Sequence, residues 1–160
     1  MEFALINGLS IHYHFHKNTN DQRLIVFSNS LGTDFRIWHD CVDRLKNDFN
    51  ILLYDKRGHG LSCTGASPYQ INDHVNDLIG LMDFLRLSNA LIVGLSVGGL
   101  IAQGTYHTRP DLVKALLLCD TAAKIGSKEM WDGRIAQAEK GGLDSLVEAN
   151  MQRWFSPKFH

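Results

Sequence analysis

A serine between glycines lies where an apolar run gives way to a helical pattern, in the stretch IVGLSVGGL at residues 92–100. The order Gly-x-Ser-x-Gly at positions 94–98 is typical of a nucleophile elbow, in which a strand turns sharply into a helix. A strained backbone there lifts the hydroxyl out of the sheet, and small neighbours let strand and helix pass closely. We therefore predict that Ser96 is a nucleophile for acyl chemistry. The alternative is a glycine-rich turn kept small only for packing.

Acyl chemistry also needs hydrogen-bond donors for the negative charge that develops on the attacked carbonyl oxygen. The helix that follows Ser96 offers free backbone N–H groups and the positive end of its dipole, which makes Val97 one predicted donor. The segment FSNSLGTDFRIW follows an earlier apolar run, and a loop at that place can supply a second backbone donor. We assign this donor to Leu31. The alternative is an ordinary polar turn leading to a helix capped by Thr33 or Asp34.

A charged loop, DKRGHGLS, follows the next apolar run and begins at Asp55. Its glycines allow a tight turn, and we expect Asp55 and Arg57 to hold it through charge-assisted hydrogen bonds. His59 and Ser62 are further candidates for catalysis. We favour a structural role for both, because a serine nucleophile needs the elbow and the donors that only Ser96 has.

The strands that must position these residues follow from hydrophobic periodicity. FALI and LSIHYHFH flank Asn7-Gly8, a residue pair favoured in tight turns, and predict a β-hairpin. Later strands are short and uniformly apolar, as in parallel sheets buried on both faces. They are LIVFS (24–28), ILLYD (51–55), ALIVG (90–94) and ALLLC (115–119).

Helical spacing occupies the intervals between these strands. Apolar residues recur at three and four positions in residues 35–45 and 75–85, the second with Asn72 or Asp73 as its candidate cap. A third helix follows the serine and is stopped by Pro110. Strand-helix units in this order predict an α/β fold with a mostly parallel, doubly wound sheet and an N-terminal antiparallel hairpin.

The last part of the chain lacks a strand pattern. SKEMWDGRIAQAEK (127–140) and LDSLVEANMQRWF (143–155) are typical of amphipathic helices and are separated by a glycine pair. We expect residues 1–123 to form the sheet-containing core and residues 124–160 to begin a helical cap, or lid.

Composition sets the broad class of protein. With 160 residues, 44% hydrophobic and 21% charged, the chain can bury the core of one globular domain. A net charge of −1 without a basic run argues against nucleic acid and membrane surfaces as partners. The widely spaced Cys41, Cys63 and Cys119 form no CxxC pair, and no signal-peptide or membrane-span pattern is evident. We expect a cytoplasmic protein with reduced thiols.

Eight histidines raise the question of a metal site. His12, His14 and His16 alternate on one face of a predicted hairpin strand, a spacing that can gather a metal ion. We favour exposed strand residues as the explanation, because no pattern of supporting ligands accompanies them. No metal or other cofactor is required by the predicted chemistry.

Several motifs, taken together, resemble the 3-oxoadipate enol-lactonases of the α/β-hydrolase fold in order and spacing over nearly all of the chain. They are SNSLGTD, YDKRGHGLS, GLSVGG, LLLCDTAAKIG, the W-D-G-R-I run at 131–135 and RWFSP. Many hydrolases of this fold share the first three. SNSLGT, TAAKIG and RWF carry the narrower resemblance.

This resemblance implies hydrolysis of the enol-lactone of 3-oxoadipate in the breakdown of aromatic compounds, without a cofactor. Ser96 would attack the lactone carbonyl, and the Leu31 and Val97 amides would hold the oxyanion. Because such a substrate carries a carboxylate, a cationic or hydrogen-bonding group is expected near it. Arg134 and Trp154 are the candidates; ordinary surface and core positions are the alternative for both.

A serine needs a histidine to take its proton and a carboxylate to orient that histidine. His107 lies along the helix after Ser96, roughly 16 Å away at 1.5 Å per residue, and is too distant. His160 is the last residue and belongs to no motif. Asp120 follows a strand at whose end some hydrolases of this fold place their acid, but we favour a loop-capping role for it.

We therefore expect the N-terminal part of a hydrolase that ends inside its lid, with an exposed apolar sheet edge and C-terminal strands absent. Those strands, the acid and the histidine would then come from a second polypeptide, or the chain is a truncated gene product. As an isolated chain it is expected to lack a working triad and to be inactive. Two other classes of function stay open. One is a different α/β-hydrolase, such as an esterase, a haloperoxidase-like esterase or a C–C bond hydrolase, since a fold does not fix its substrate. The other is a non-catalytic binding or complementation fragment.

Overall fold

The computed structural model describes residues 2–19 and 23–159. The chain divides into two compact units, Met1–Lys124 and Ile125–His160. The first contains a six-stranded sheet with its helices, and the second contains helices. That the second unit begins a cap stays a prediction.

The sheet of the first unit has the strand order β1-β2-β4-β3-β5-β6. β1 and β2 pair antiparallel, β2 also pairs antiparallel with β4, and the remaining neighbours pair in parallel. The strands are β1 (Glu2–Ile6), β2 (Leu9–His16), β3 (Leu24–Ser28), β4 (Asn50–Tyr54), β5 (Ala90–Leu95) and β6 (Val113–Cys119). The predicted doubly wound, mostly parallel sheet with an N-terminal hairpin is confirmed.

The hairpin turns at Asn7 and Gly8, whose φ angles are 49° and 79°. Positive φ at both central residues is the signature of a type I′ turn, which matches the twist of the flanking strands. Ile6 therefore pairs directly with Leu9, as the sequence predicts.

Helices pack on both faces of the sheet. A 3₁₀ helix at Phe35–Trp38 leads into α1 (His39–Leu45), and α2 (Ile71–Phe84) and α3 (Val97–Thr108) follow. α2 begins earlier than its apolar spacing indicates, at Ile71, so neither predicted cap is correct. Gln70 is the N-cap residue, and the Asp73 carboxylate accepts a hydrogen bond from the Gln70 N–H at 2.7 Å.

The core divides between the two faces because strand side chains alternate in direction. On one face, Leu24 and Val26 of β3 pack with the buried apolar residues of α2 and α3. On the other, Ile25 and Phe27 pack with Trp38. Every residue of β3 and of β4 is buried. β6 differs, since Leu117 and Leu118 are 52% and 44% exposed.

The second unit contains α4 (Lys128–Gly141) and α5 (Val147–Trp154), joined by a 3₁₀ helix at Leu143–Leu146. Ser127 caps α4 by accepting a hydrogen bond from the Met130 N–H at 3.3 Å. Gly142 ends α4 with φ of 71° and ψ of 177°, a backbone conformation that is essentially restricted to glycine. Among the helices that the structure describes, none combines the length and apolar content needed to cross a membrane.

Candidate active site

Ser96 lies at a sharp bend between β5, which ends at Leu95, and α3, which begins at Val97. Its φ and ψ angles of 55° and −118° are strained for a residue with a Cβ atom. Cys119 and Thr121 hold the bend: the Ser96 N–H donates to the Cys119 carbonyl at 3.0 Å, and the Thr121 hydroxyl donates to the Ser96 carbonyl at 2.7 Å. The predicted bend is present, and the hydroxyl makes no capping bond to α3.

The glycines of the pattern permit two close backbone approaches. A Cβ atom on Gly94 would lie 2.5 Å from the Gly98 carbonyl oxygen and 2.6 Å from Gly99 Cα. One on Gly98 would overlap the Ser28 carbonyl at the end of β3. The first turn of α3 can therefore approach both the strand before it and the neighbouring strand β3.

The two predicted oxyanion donors follow the carboxyl ends of two neighbouring parallel strands, β3 and β5. Val97 is the first residue of α3, so its N–H has no acceptor within the helix. Leu31 lies in the loop after β3, and β3 pairs with β5 so that Ser28 faces Gly94. The structure thus brings both peptide segments to the carboxyl end of the sheet, where open sheets bind ligands.

Lys56 is buried beside the loop that carries Leu31 and hydrogen-bonds to its backbone. This lysine is 1% exposed, and its Nζ donates to the carbonyl oxygens of Asn29 and Ser30, each at 3.0 Å. Burial lowers the pKa of Lys56 to about 7. The Thr33 hydroxyl also donates to the Ser30 carbonyl, at 3.0 Å. Sequence analysis missed Lys56, because a lysine in a charged loop carries no sign that it is buried.

His59 contacts the same loop at Gly32. Its Nε2 accepts the Gly32 N–H at 3.1 Å, and its Nδ1 lies 3.0 Å from the Arg57 carbonyl oxygen. Burial lowers the pKa of His59, and the charge of Lys56 lowers it further. This imidazole is therefore engaged with the backbone of two loops.

Ser62 is buried within its own loop. Its hydroxyl donates to the Asp55 carbonyl at 2.7 Å and accepts the His12 N–H at 2.9 Å. These contacts agree with the structural role that the sequence favours.

Asp55 holds the loop through a charge-assisted hydrogen bond, as expected, since its carboxylate accepts a backbone N–H of the loop at 3.0 Å, but it does not pair with Arg57. The Asp55 side chain is buried, where it contacts His12 Nδ1 at 2.8 Å and accepts the Phe35 N–H at 2.9 Å. Arg57 instead points to α2, and its Nε and Nη2 donate to the two carboxylate oxygens of Asp77 at 2.7 and 2.8 Å. The two charges do not meet because the Asp55 side chain packs against His12, whereas the Arg57 side chain extends toward α2.

Of the described residues considered for a catalytic acid and base, Asp120 lies nearest to Ser96 along the fold, between the two residues that hydrogen-bond to the Ser96 backbone, Cys119 and Thr121. His107 lies in the last turn of α3 and is exposed. Asp120 is exposed in the turn after β6, with φ of 44°. His160 lies outside the described residues.

Arg134 and Trp154 belong to the second unit. Arg134 lies on α4, donates to the Asn150 side chain at 3.0 Å, and places its guanidinium 5.1 Å from the ring centre of Trp131. Trp154 is the last residue of α5 and is 46% exposed. The aromatic partner of Arg134 is therefore Trp131.

The three alternating histidines have separate partners, and the expectation that they are exposed is wrong for His12, which is buried. His12 contacts Asp55, His14 lies 3.2 Å from Glu2, and His16 contacts the Lys46 carbonyl at 3.2 Å. Within residues 2–19 and 23–159, no group of three or more histidine, cysteine, aspartate or glutamate side chains could hold a metal ion. The three cysteines are free thiols.

The sheet order and the bend between β5 and α3 define an α/β-hydrolase. The chain belongs to the hydrolase family described as serine aminopeptidase, S33, which matches residues 19–154.

Two curated relatives from Acinetobacter baylyi are named 3-oxoadipate enol-lactonases. The chain is 34% identical over 139 residues to 3-oxoadipate enol-lactonase 2, covering 87% of this chain and 52% of that protein. It is 36% identical over 135 residues to 3-oxoadipate enol-lactonase 1, covering 84% and 50%. The chain thus spans about half the length of the curated relatives it matches.

A solved structure gives the same result. The crystal structure of the enol-lactonase from Burkholderia xenovorans matches with a TM-score of 0.93 at 38% identity, covering 99% of this chain and 61% of that one. The resemblance inferred from the sequence motifs is confirmed.

Proposed function

We propose that the chain carries the nucleophile and the oxyanion donors of a serine-dependent hydrolase for 3-oxoadipate enol-lactone, acting in the cytoplasmic breakdown of aromatic compounds. The observation that carries the proposal is the strained turn at Ser96, which joins a strand to the free N–H groups of α3. The names of the two Acinetobacter relatives and of the Burkholderia structure support the lactone as substrate.

In the first half of the reaction, Ser96 Oγ bonds to the lactone carbonyl carbon while an imidazole takes its proton. The carbonyl oxygen becomes an oxyanion and accepts hydrogen bonds from the Leu31 and Val97 amides. The ring C–O bond then breaks, and the enol oxygen that leaves takes the proton from the imidazolium. The enol later tautomerises to the ketone.

In the second half, water attacks the acyl-serine carbonyl and gives a proton to the imidazole. The same two amides hold the new oxyanion. Ser96 Oγ leaves with the proton from the imidazolium, and the acid product is released. The acyl chain retains a carboxylate, for which Arg134 and Trp154 are the proposed recognition residues.

The acid and the imidazole of this mechanism come from outside the described residues. A second polypeptide that adds strands to β6 would bring both groups to the carboxyl end of the sheet. Leu117 and Leu118 support this proposal, since they are half-exposed on a strand that has one neighbour among the described strands.

Labelling with a fluorophosphonate tests the nucleophile. The intact mass of the purified material is recorded first, because it reveals whether a second polypeptide accompanies the chain. In material that contains the second polypeptide, we then expect one phosphonyl adduct per chain, lost in Ser96→Ala and retained in Ser88→Ala, a matched change at an exposed serine. Adduct formation that persists in Ser96→Ala would remove Ser96 from its proposed role.

Substrate rates separate the remaining alternatives. Hydrolysis of the enol-lactone faster than that of a simple aryl ester supports the lactone assignment, and the reverse order favours a general esterase. A binding or complementation fragment predicts no labelling and unchanged ligand affinity in Ser96→Ala.

A further inference from the structure

The direction of the Leu31 N–H is set by the peptide group to which it belongs. In a planar trans peptide, the C=O and the N–H point in opposite directions. The Leu31 N–H shares its peptide group with the Ser30 carbonyl, which accepts hydrogen bonds from Lys56 Nζ and the Thr33 hydroxyl, each at 3.0 Å. Two donors on one side of this peptide therefore direct the N–H to the other side.

The next peptide group is held by His59. It contains the Leu31 carbonyl and the Gly32 N–H, and the N–H donates to His59 Nε2 at 3.1 Å. Because the Arg57 carbonyl can only accept, the contact of 3.0 Å to His59 Nδ1 requires a proton on that nitrogen. The hydrogen bonds thus assign the neutral tautomer that leaves Nε2 free to accept.

We propose that Lys56 and His59 are positioning residues, which fix the two peptide groups on either side of Leu31 and so aim its N–H at the oxyanion. The inference deepens the proposed function and rests on it for its catalytic meaning. Both residues come from the loop after β4, so one loop orients the donor that another loop provides.

The charges around His59 support this arrangement. The charges of Lys56 and Asp55 act on it from its own loop, Arg57 contacts it through its backbone carbonyl, and His74 faces it from α2. Burial and the charge of Lys56 lower the pKa of His59, which keeps the ring neutral below its ordinary value of about 6.5. When pH falls through this lowered pKa, Nε2 gains a proton and can no longer accept a hydrogen bond from the Gly32 N–H. The hydrogen bond is then lost on the acid side.

Nuclear magnetic resonance of the ¹⁵N-labelled full chain tests the proposal without requiring turnover. We expect wild-type imidazole shifts of the tautomer with hydrogen on Nδ1. Gly32 amide exchange, corrected for its intrinsic pH dependence, should become about fivefold faster as His59 protonates, the effect of one net hydrogen bond. His59→Gln, which offers a neutral acceptor, should stay protected at every pH, and His59→Phe should exchange fast at every pH.

Lys56 is tested in the same experiment. Lys56→Met keeps the length of the side chain and removes its donors, so the Leu31 amide order parameter should fall from about 0.85 toward 0.6. Lys114→Met, at an exposed position on β6, is the control and should leave it unchanged.

The proposal is overturned if the imidazole carries its proton on Nε2, or if Gly32 exchange is equal in wild type and His59→Phe. Should His59→Phe fail to fold, the wild-type titration and His59→Gln decide. Fluorophosphonate labelling of Ser96 is a separate readout. Absent labelling in material that contains the second polypeptide, together with His59-dependent Gly32 protection, supports the positioning and contradicts the proposed function. Labelling with Gly32 protection independent of His59 overturns the positioning.

Discussion

At the scale of single residues, the turn at Ser96 depends on glycines, which have no Cβ atom and so let α3 pack closely against the strands. Gly98 lies where a Cβ atom would overlap the backbone of Ser28, whereas a Cβ atom on Gly104 would come nearest to the Val75 side chain, at 2.6 Å from Cγ2. Both glycines lie on α3. Substituting alanine at each position therefore compares a clash with backbone, at Gly98, with a clash with a side chain, at Gly104.

Gly98→Ala is expected to destabilise the fold by about 3 kcal/mol, because α3 must move away from β3. In Gly104→Ala the buried, β-branched Val75 must also give way, but the helix propensity of alanine returns about 1 kcal/mol, so a smaller loss of about 1 kcal/mol is expected. Urea unfolding of both variants gives the two free energies. Equal losses would show that backbone overlap at residue 98 does not control the junction.

His74 makes stability depend on pH. It is 9% exposed, and its Nδ1 has no hydrogen-bond partner within the described part of the chain. Burial, followed by the charge of Lys56, lowers the pKa of His74 to about 4. The unfolded chain thus takes up the proton first as pH falls.

The free energy of unfolding is therefore expected to fall between pH 6.5 and about 4, by roughly 2 kcal/mol after allowance for solvent screening. His74→Leu removes the titrating group and should reduce this slope. Urea unfolding at a series of pH values measures it. An unchanged slope in His74→Leu would assign the acid sensitivity to other groups.

At the scale of elements, the loop after β4 is fastened to α2 by a largely buried ion pair. The side chains of Arg57 and Asp77 are 11% and 2% exposed. Asp77 also accepts from the Asn7 side chain at 3.1 Å, which ties the β1–β2 turn to the same helix. Removing the carboxylate would leave a guanidinium with little access to water and a weaker partner in Asp73, 3.8 Å away.

Asp77→Ala is accordingly expected to cost about 3 kcal/mol, as for other buried pairs that lose one partner. Asp111→Ala, which removes an exposed partner of Arg109, is the matched control and should change stability little. Thermal and urea unfolding compare the variants. If both aspartate changes have the same small effect, the pair does not hold the loop.

Sequence patterns predict elements best where burial is continuous. β3 is found at the predicted residues, since every one of its side chains is buried. The start of α2 was misplaced because Ile71 is 40% exposed and therefore lies outside the apolar repeat. The first turn of α2 is largely exposed, so the buried residues by which the sequence predicts the helix begin only after it.

At the scale of the whole molecule, the sheet has β1 at one end and β6 at the other. Unpaired strand edges with apolar side chains are templates for association with another chain. On β1, Leu5 is 75% exposed, and on β6, Leu118 is 44% exposed. The two positions allow the edges to be tested separately.

We expect the chain, when purified alone, to self-associate through β6 as concentration rises. A lysine on an edge strand opposes such pairing. Leu118→Lys should shift the sedimentation coefficient toward the monomer, and Leu5→Lys, on the opposite edge, should not. Equal effects of both changes would mean that association is not specific to β6.

The sequence by itself determined the order of strands and helices, the hairpin turn and the bend at Ser96, because each depends on residues within a few positions of one another. The partners of the charged loop depend on long-range contacts: His12 pairs with Asp55, Arg57 with Asp77, and Lys56 with the Ser30 carbonyl. Only the tertiary structure decides these pairings. Hydrophobic periodicity specifies which face of an element is buried, whereas a buried charge takes whichever donor or acceptor the packed elements bring within reach.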